Sequence, residues 1–172
     1  WNGIFKEGYY SDGKKAEEHR DYYENNSIMS EGLIIDENVK IGNWTYYHNN
    51  ASKKSNGQYI KNNKNGEWNY WYKSGKQEKT GNYVNDLMDG DWRGWYYTGQ
   101  KFYLRTYNNG KKEGKWVWWF NDGKKKYEGK YQNDKKDGKW TEWDKEGIIT
   151  INGIFHNDVK WSGIFDDGRY YK

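Results

Sequence analysis

Aromatic residues along this chain fall in short runs cut by polar turns, and the runs recur. Trp116, Trp118, Trp119 and Phe120 fill four of five positions and are followed at once by Asn121-Asp122-Gly123 and three lysines. The segment Gly-x-Trp-x-x-(Trp/Tyr) begins at Gly42, Gly66, Gly90, Gly114 and Gly138, 24 residues apart each time. Its second aromatic is Tyr47, Trp71, Trp95, Trp119 or Trp143. A further element, Gly-x-(Tyr/Phe), keeps the same step at Gly57-Tyr59, Gly81-Tyr83, Gly129-Tyr131 and Gly153-Phe155, with Arg105-Tyr107 filling the missing slot. Small residues form a third column at Ala51, Gly75, Gly99, Gly123 and Gly147. Self-similarity at one period marks a repeat architecture.

Residues 66–89 illustrate one unit. An aromatic run ends at Ser74-Gly75, and a second short run ends at Asn85-Asp86. Alternating runs bounded by turn residues predict two strands and two turns. The glycines of the third column supply the positive φ that tight hairpins need. At the opposite end of the unit, Asn109-Gly110 is a strong hairpin dipeptide, and Asn133-Asp134 and Asn157-Asp158 hold the same place. The fold class predicted is all-β: tandem 24-residue hairpins in an elongated antiparallel meander. Residues 1–41 are read as degenerate N-terminal repeats or a cap, 42–161 as five in-phase repeats, and 162–172 as a partial repeat. Terminal copies commonly diverge because they cap the array.

The period also predicts a register. If residues 74 and 75 form a two-residue loop, Trp68 stands opposite Gly81, and Tyr83 opposite Gly66. The same arithmetic pairs Trp44 with Gly57, Trp116 with Gly129 and Trp140 with Gly153. A ring laid over a neighbouring strand's glycine covers bare backbone, so these are read as structural aromatic-glycine pairs. Arg105 falls opposite Trp92, where an Arg-indole stack substitutes. Strict alternation then sends Trp71 to the other face, among Asn69, Glu78 and Thr80. A bulge near the strand centre would bring both columns to one face, and the pattern leaves both arrangements open.

Composition agrees with an aromatic-cored β-repeat. Phe, Trp and Tyr make up 20% of the 172 residues and aliphatics are scarce, which argues against a Leu/Val globule. Charged residues reach 31%, but chains that stay disordered lack aromatics. There is no proline to break strands, and no cysteine for a disulfide or thiolate metal site. No apolar stretch approaches a membrane span in length. The first residue, Trp1, is read as a processed end or a cut from a longer array, which tilts the expectation toward an exported or cell-surface bacterial protein. A net charge of +4, with lysines interleaved among acids, reads as a solvated surface, so nucleic acid is not the expected partner.

The motifs Gly-x-Trp-x-x-Tyr/Trp, a turn glycine and Gly-x-Tyr-x-Asn resemble the bacterial variant of the MORN repeat (membrane occupation and recognition nexus), of the YwqK type. The resemblance covers about Gly42 to Lys160 well and the flanks loosely. It implies a ladder of β-hairpins with a non-enzymatic binding or scaffold role. Relatives carry an antitoxin label in some cases, and MORN proteins have been linked to lipid head groups. Arg105, Gly94 and the eroded copy over 18–41 depart from the pattern. Choline-binding repeats of cell-wall proteins also alternate Gly, Trp and Tyr, but their unit is nearer 20 residues.

Enzyme chemistry finds little support in the residues. His19, His48 and His156 follow no ligand spacing, acids such as Asp86, Asp122 and Asp134 sit where turns form, and no cofactor or metal motif occurs. The Trp44, Trp68, Trp92, Trp116 and Trp140 column is assigned to structure. Tyr47, Trp71, Trp95, Trp119 and Trp143 are the candidate partner-binding column, with a structural role as the competing reading. The expected partner is a protein, with self-association, a glycan or an anionic lipid as alternatives. Lysines 111, 112, 124, 125, 126, 135 and 136 are read as a solvated rim, with attraction of an anionic partner as the other reading.

Overall fold

The computed structural model describes the backbone at residues 3–5, 8–164 and 170–171, and the side chains of residues 11–164. Strands account for all regular structure among the described residues, with no helix. The chain divides into two compact units, residues 1–87 and 88–172.

In the first unit β1 (Gly3–Phe5), β2 (Gly8–Ser11) and β3 (Lys14–Lys15) form a small antiparallel sheet. A meander follows: β4 (Glu17–Tyr22), β5 (Ile28–Ile35), β6 (Val39–Tyr47), β7 (Lys53–Ile60), β8 (Asn63–Trp71) and β9 (Gln77–Val84). Consecutive strands of this meander pair antiparallel. The second unit continues in the same style from β10 (Leu87–Trp95), which begins at the boundary, through β11 (Lys101–Asn108), β12 (Lys111–Trp119) and β13 (Lys125–Gln132). The next strand is broken at Asp137 into β14 (Lys135–Lys136) and β15 (Gly138–Trp143), both paired with β13. Then come β16 (Ile149–His156), β17 (Val159–Ile164) and β18 (Tyr170–Tyr171). The fold is the expected all-β antiparallel meander of hairpin repeats.

Two turn types alternate. Asn85-Asp86, Asn109-Gly110, Asn133-Asp134 and Asn157-Asp158 all have positive φ at both residues, the two-residue primed turn that matches strand twist. The other turn corrects the sequence expectation. Tyr72 N donates to Lys76 O and Gly75 N donates to Tyr72 O, both at 2.9 Å, so the loop holds three residues, Lys73 to Gly75. Gly75 sits at φ +82°, as a three-residue loop ending in a left-handed residue requires. In the same column Ala51 adopts φ +61°, where a Cβ is strained. Ala51→Gly is therefore expected to stabilise the protein by about 1 kcal/mol, read as a higher denaturation midpoint. An unchanged or lower midpoint would contradict the strain at this turn.

The predicted register holds although the loop behind it was one residue short. Trp68 pairs with Gly81 and Gly66 with Tyr83. Trp44-Gly57, Trp116-Gly129, Trp140-Gly153 and Trp92-Arg105 are register partners as well. The extra loop residue is offset by a bulge: Tyr70 pairs with Lys79 but Trp71 with Gln77, leaving Glu78 over. The same shift recurs before Tyr47, Trp95, Trp119 and Trp143.

A second irregularity belongs to the Gly-x-Trp motif itself. Gly42, Gly66, Gly90, Gly114 and Gly138 lie at φ between +63° and +76°. Against the preceding strand, Asn56 pairs with Asn69 but Gln58 with Asn65, so residues 66–68 stand opposite Gly57 alone. A left-handed glycine makes such a bulge accessible.

One inserted residue accounts for the lost phase of the eroded first copy, although Glu17 and His19 still replace the motif Gly and Trp. Ile35 pairs with Val39 across three residues, whereas Ile60 pairs with Asn63 across two. Counting back 25 residues instead of 24 puts Gly32 on Gly57 and Ser30 on Ser55, and places His19 in the Trp44 column. His19 indeed pairs with Gly32 and lies 6.0 Å from the Trp44 ring.

The first tryptophan column is the core. Trp44, Trp68, Trp92 and Trp140 are at most 1% exposed and Trp116 is 5% exposed. The rings lean toward the preceding strand, not toward their register partners as the sequence arithmetic implied. A methyl group on Gly57 would stand 2.3 Å from the Trp68 indole; on Gly32, 2.4 Å from Trp44; on Gly129, 2.1 Å from Trp140. The direction follows from the indole N–H, which must find an acceptor once buried. Trp68 donates to Gln58 O at 3.2 Å, Trp44 to Leu33 O at 3.1 Å, and Trp116 and Trp140 to Thr106 O and Lys130 O at 3.0 Å. Each acceptor is the residue after the glycine slot on the preceding strand.

Candidate interaction surfaces

Strand alternation splits the side chains of each unit into two faces. The inner face carries the buried indoles. In the first unit Trp68 meets Tyr59 edge-on at 5.1 Å and Tyr83 edge-on at 6.3 Å, with Tyr70 at 6.1 Å. The Lys64 ammonium rests over this cluster, 4.5 Å from the Trp68 centroid and 5.2 Å from Tyr83. Lys40 repeats the arrangement over Trp44 at 4.3 Å and bonds the Tyr46 hydroxyl at 3.0 Å. In the second unit Lys136 lies 4.4 Å over Trp140, and Lys112 lies 5.4 Å from Trp116. These lysines keep the 24-residue step except at Met88, which takes the third slot, and a cation over an aromatic face is attracted by the ring quadrupole. Lys112 and Lys136 thus belong to the packing of the inner face and not to the solvated rim; Lys111, Lys124, Lys125, Lys126 and Lys135 are exposed.

Burial depresses the pKa of Lys64 and raises those of Tyr59, Tyr70, Tyr127 and Tyr131. The tyrosine shift has a definite sign in stability. Unfolded tyrosines release protons near pH ~10 while the folded chain holds them. The contribution is complete below that pH and is lost as pH climbs toward the folded values. Melting temperature should be flat up to about pH 9.5 and fall steeply beyond about pH 10. Absorbance at a tyrosinate band should show these four rings ionising only with unfolding. Early tyrosinate signal from a still-folded chain would contradict their burial.

Arg105 takes the glycine slot of its repeat. It is the register partner of Trp92, but its guanidinium stacks between Tyr103 of its own strand, at 4.0 Å, and Trp118 of the following strand, at 4.2 Å, with Trp116 at 5.3 Å. Its Nε is buried without a hydrogen-bond partner. Gly94, the other departure of this repeat, makes room for Tyr103: a methyl there would come within 2.4 Å of that ring. The two departures are thus one local rearrangement of the inner layer.

The outer face carries the candidate column. Tyr47, Trp71, Trp95, Trp119 and Trp143 are each half-buried, and because the extra residue of the bulge lies on the partner strand, alternation keeps them off the face of the buried indoles three residues before. Trp71 has the predicted polar company of Asn69 and Thr80, whose side chains bond each other at 2.8 Å, but Gln77 replaces Glu78 as its cross-strand neighbour. The stripe is interleaved with lysines that pair with one aromatic and reach the next. Lys53 lies 5.4 Å from the Trp71 ring centroid, and in the second unit Lys101 lies 5.9 Å from Trp119 and Lys125 5.9 Å from Trp143. In the first unit the Tyr47 hydroxyl donates to Glu31 Oε1 at 2.6 Å, holding that carboxyl below its ordinary pKa. A notch of about 100 Å³ in the second unit is lined by Trp95 and Trp119 together with Arg93, Gly94, Lys101, Tyr103 and Leu104.

The rims are tied repeat to repeat. Asp86 accepts from Lys64 N at 2.8 Å and Asp134 from Lys112 N at 2.8 Å, while Asp158 accepts from Lys136 N at 2.7 Å. On the other rim the Tyr23 hydroxyl donates to Tyr47 O, the Tyr96 hydroxyl donates to Trp119 O, and His48 Nε2 bonds Trp71 O at 2.9 Å. His156 bonds Asp137 at 2.8 Å and His19 bonds Asp21 at 3.1 Å. Among the described residues no group of three or more His, Asp or Glu is placed to hold a metal ion. Neither the inner lysine column nor the direction of the indoles was read from the sequence; the 24-residue recurrence of Lys40, Lys64, Lys112 and Lys136 was the signal available. The chain matches no protein-family model and no curated protein.

Proposed function

We propose that the chain is a non-enzymatic interaction or scaffold module built of MORN-like repeats, whose outer face takes a protein partner. The observation that carries this reading is the half-buried indole stripe of the second unit, with the notch lined by Trp95 and Trp119. Half-buried indoles held in a rigid sheet supply contact area at little entropic cost, and such rings dominate protein interfaces. The notch has room for one aliphatic side chain, and the flanking Lys101 suits a neighbouring acid. This assigns Trp95, Trp119 and Trp143 to the binding surface of that unit, and Tyr47 and Trp71 to the matching positions of the first.

The test compares affinity capture from a bacterial extract by the wild-type chain and by Trp95→Ser/Trp119→Ser. A specific protein band should be lost with the double variant and should survive about 0.5 M salt, where exposed charge attraction is screened. A glycan or anionic-lipid surface is the competing class. Binding to anionic vesicles that collapses with salt, and is unaffected by the double variant, would replace the protein reading.

A further inference from the structure

The last full hairpin abandons the polar pattern of the outer face. Lys125, Lys130 and Lys135 of the preceding hairpin are followed 24 residues later by Ile149, Ile154 and Val159, and Asp137 by Trp161. Three lysines and an acid have become aliphatic or aromatic side chains, and they remain exposed: Ile149 by 51%, Ile154 by 44%, Val159 by 63% and Trp161 by 61%. Ile164 joins them at 58%.

Register places these side chains together. Ile154 pairs with Ser162, Val159 with His156, and Ile164 with Asn152, all positions that alternate with the inward-facing Phe155, itself 6% exposed. Trp161 falls in the bulge between Lys160 and Ser162 and stacks edge-on against His156 at 5.9 Å. Ile149 pairs with Trp143, so the patch borders the end of the outer indole stripe. Its exposed apolar area is roughly 600 Å² on β16 and β17, at the size where a contiguous patch on a monomer signals an interaction site.

We infer that this face is a self-association surface, on which two copies of the chain pack their β16–β17 hairpins face to face about a two-fold axis. Three arguments select a second copy. An isologous contact buries the patch twice, at most about 1,200 Å² in total, which reaches the lower edge of the range for specific interfaces. The five side chains carry no charge, and the Asp137 carboxylate near them is already bonded to His156, so an identical face is an apolar match with no unpaired ion to bury. Finally, the lysines of the preceding hairpin would repel their own copies across such a contact, so the loss of three of them confines pairing to the last hairpin. The inference does not use the protein-partner reading and stands or falls separately from it.

The decisive experiment is sedimentation velocity on the full chain between about 1 and 200 µM, a range that brackets the micromolar affinity expected of so small an interface. The wild-type chain should move from monomer to dimer across that range. Ile149→Lys/Ile154→Lys/Val159→Lys, which restores residues the fold accepts in the preceding hairpin, should stay monomeric with melting nearly unchanged. Val159→Lys alone, at the most exposed of the three positions, should weaken pairing at least about tenfold and covers the case of a triple variant that folds poorly. A wild-type chain monomeric throughout would overturn the inference, and so would variants that dimerise as tightly as the wild type. A monomer that instead floats with vesicles of mixed neutral and anionic lipid would give the face to a membrane and overturn it equally.

Discussion

Gly129→Val is expected to destabilise the protein by about 2–4 kcal/mol, the range between overpacking a core and losing a buried indole. A Cβ at that position would stand 2.1 Å from the Trp140 ring, closer than any non-bonded carbon pair tolerates. Trp140 has little freedom to retreat. It is 1% exposed, its Nε1 is bound to Lys130 O, Tyr131 meets it edge-on at 5.1 Å, and Lys136 lies over it at 4.4 Å. Valine would therefore force out the indole and with it the hydrogen bond and the cation. Gly57→Val should act alike in the first unit, through Trp68. The control is Gly123→Ala, where added atoms meet nothing within 4 Å and only the left-handed φ of +87° is penalised, at about 1 kcal/mol. Chemical denaturation of the three variants checks the order. A Gly129→Val midpoint no lower than that of Gly123→Ala would mean the ring does not rest on the glycine.

Much of this arrangement is legible in the chain because a repeat states each rule several times. Five copies of Gly-x-Trp identify the strand, and the partners of Trp44, Trp68, Trp116 and Trp140 follow from the turn positions alone. That arithmetic succeeded through a cancellation: the loop at Gly75 has three residues, and the bulge at Glu78 removes the difference. Neither deviation is visible separately, since both recur with the same period. The residue added in the turn between Ile35 and Val39 moved His19 and Gly32 out of phase and made the first copy look more eroded than it is. The lean of the indoles was not legible, because it is decided by a hydrogen bond to the far strand. Nor was the place of Lys64 and Lys136 over the rings. A lysine next to a turn reads as solvated until the third dimension shows what its stem crosses.

Trp116 and Trp119 are three residues apart on one strand, yet the account gives them opposite work. Trp116 is 5% exposed, sits in the core with Trp140, Ile151 and Phe155, and meets Tyr131 at 4.8 Å. Trp119 is half-buried on the outer face, with Lys101 5.9 Å from its ring and the notch at its edge. The most direct test is the unfolding free energy of Trp116→Ser against Trp119→Ser, measured under one set of conditions. Trp116→Ser should cost about 3–5 kcal/mol, as truncation of a buried indole does. Trp119→Ser should cost about 1 kcal/mol or less, as substitutions away from the core do. Losses of equal size would place both columns in the core, and the outer face would no longer stand as a surface kept for a partner.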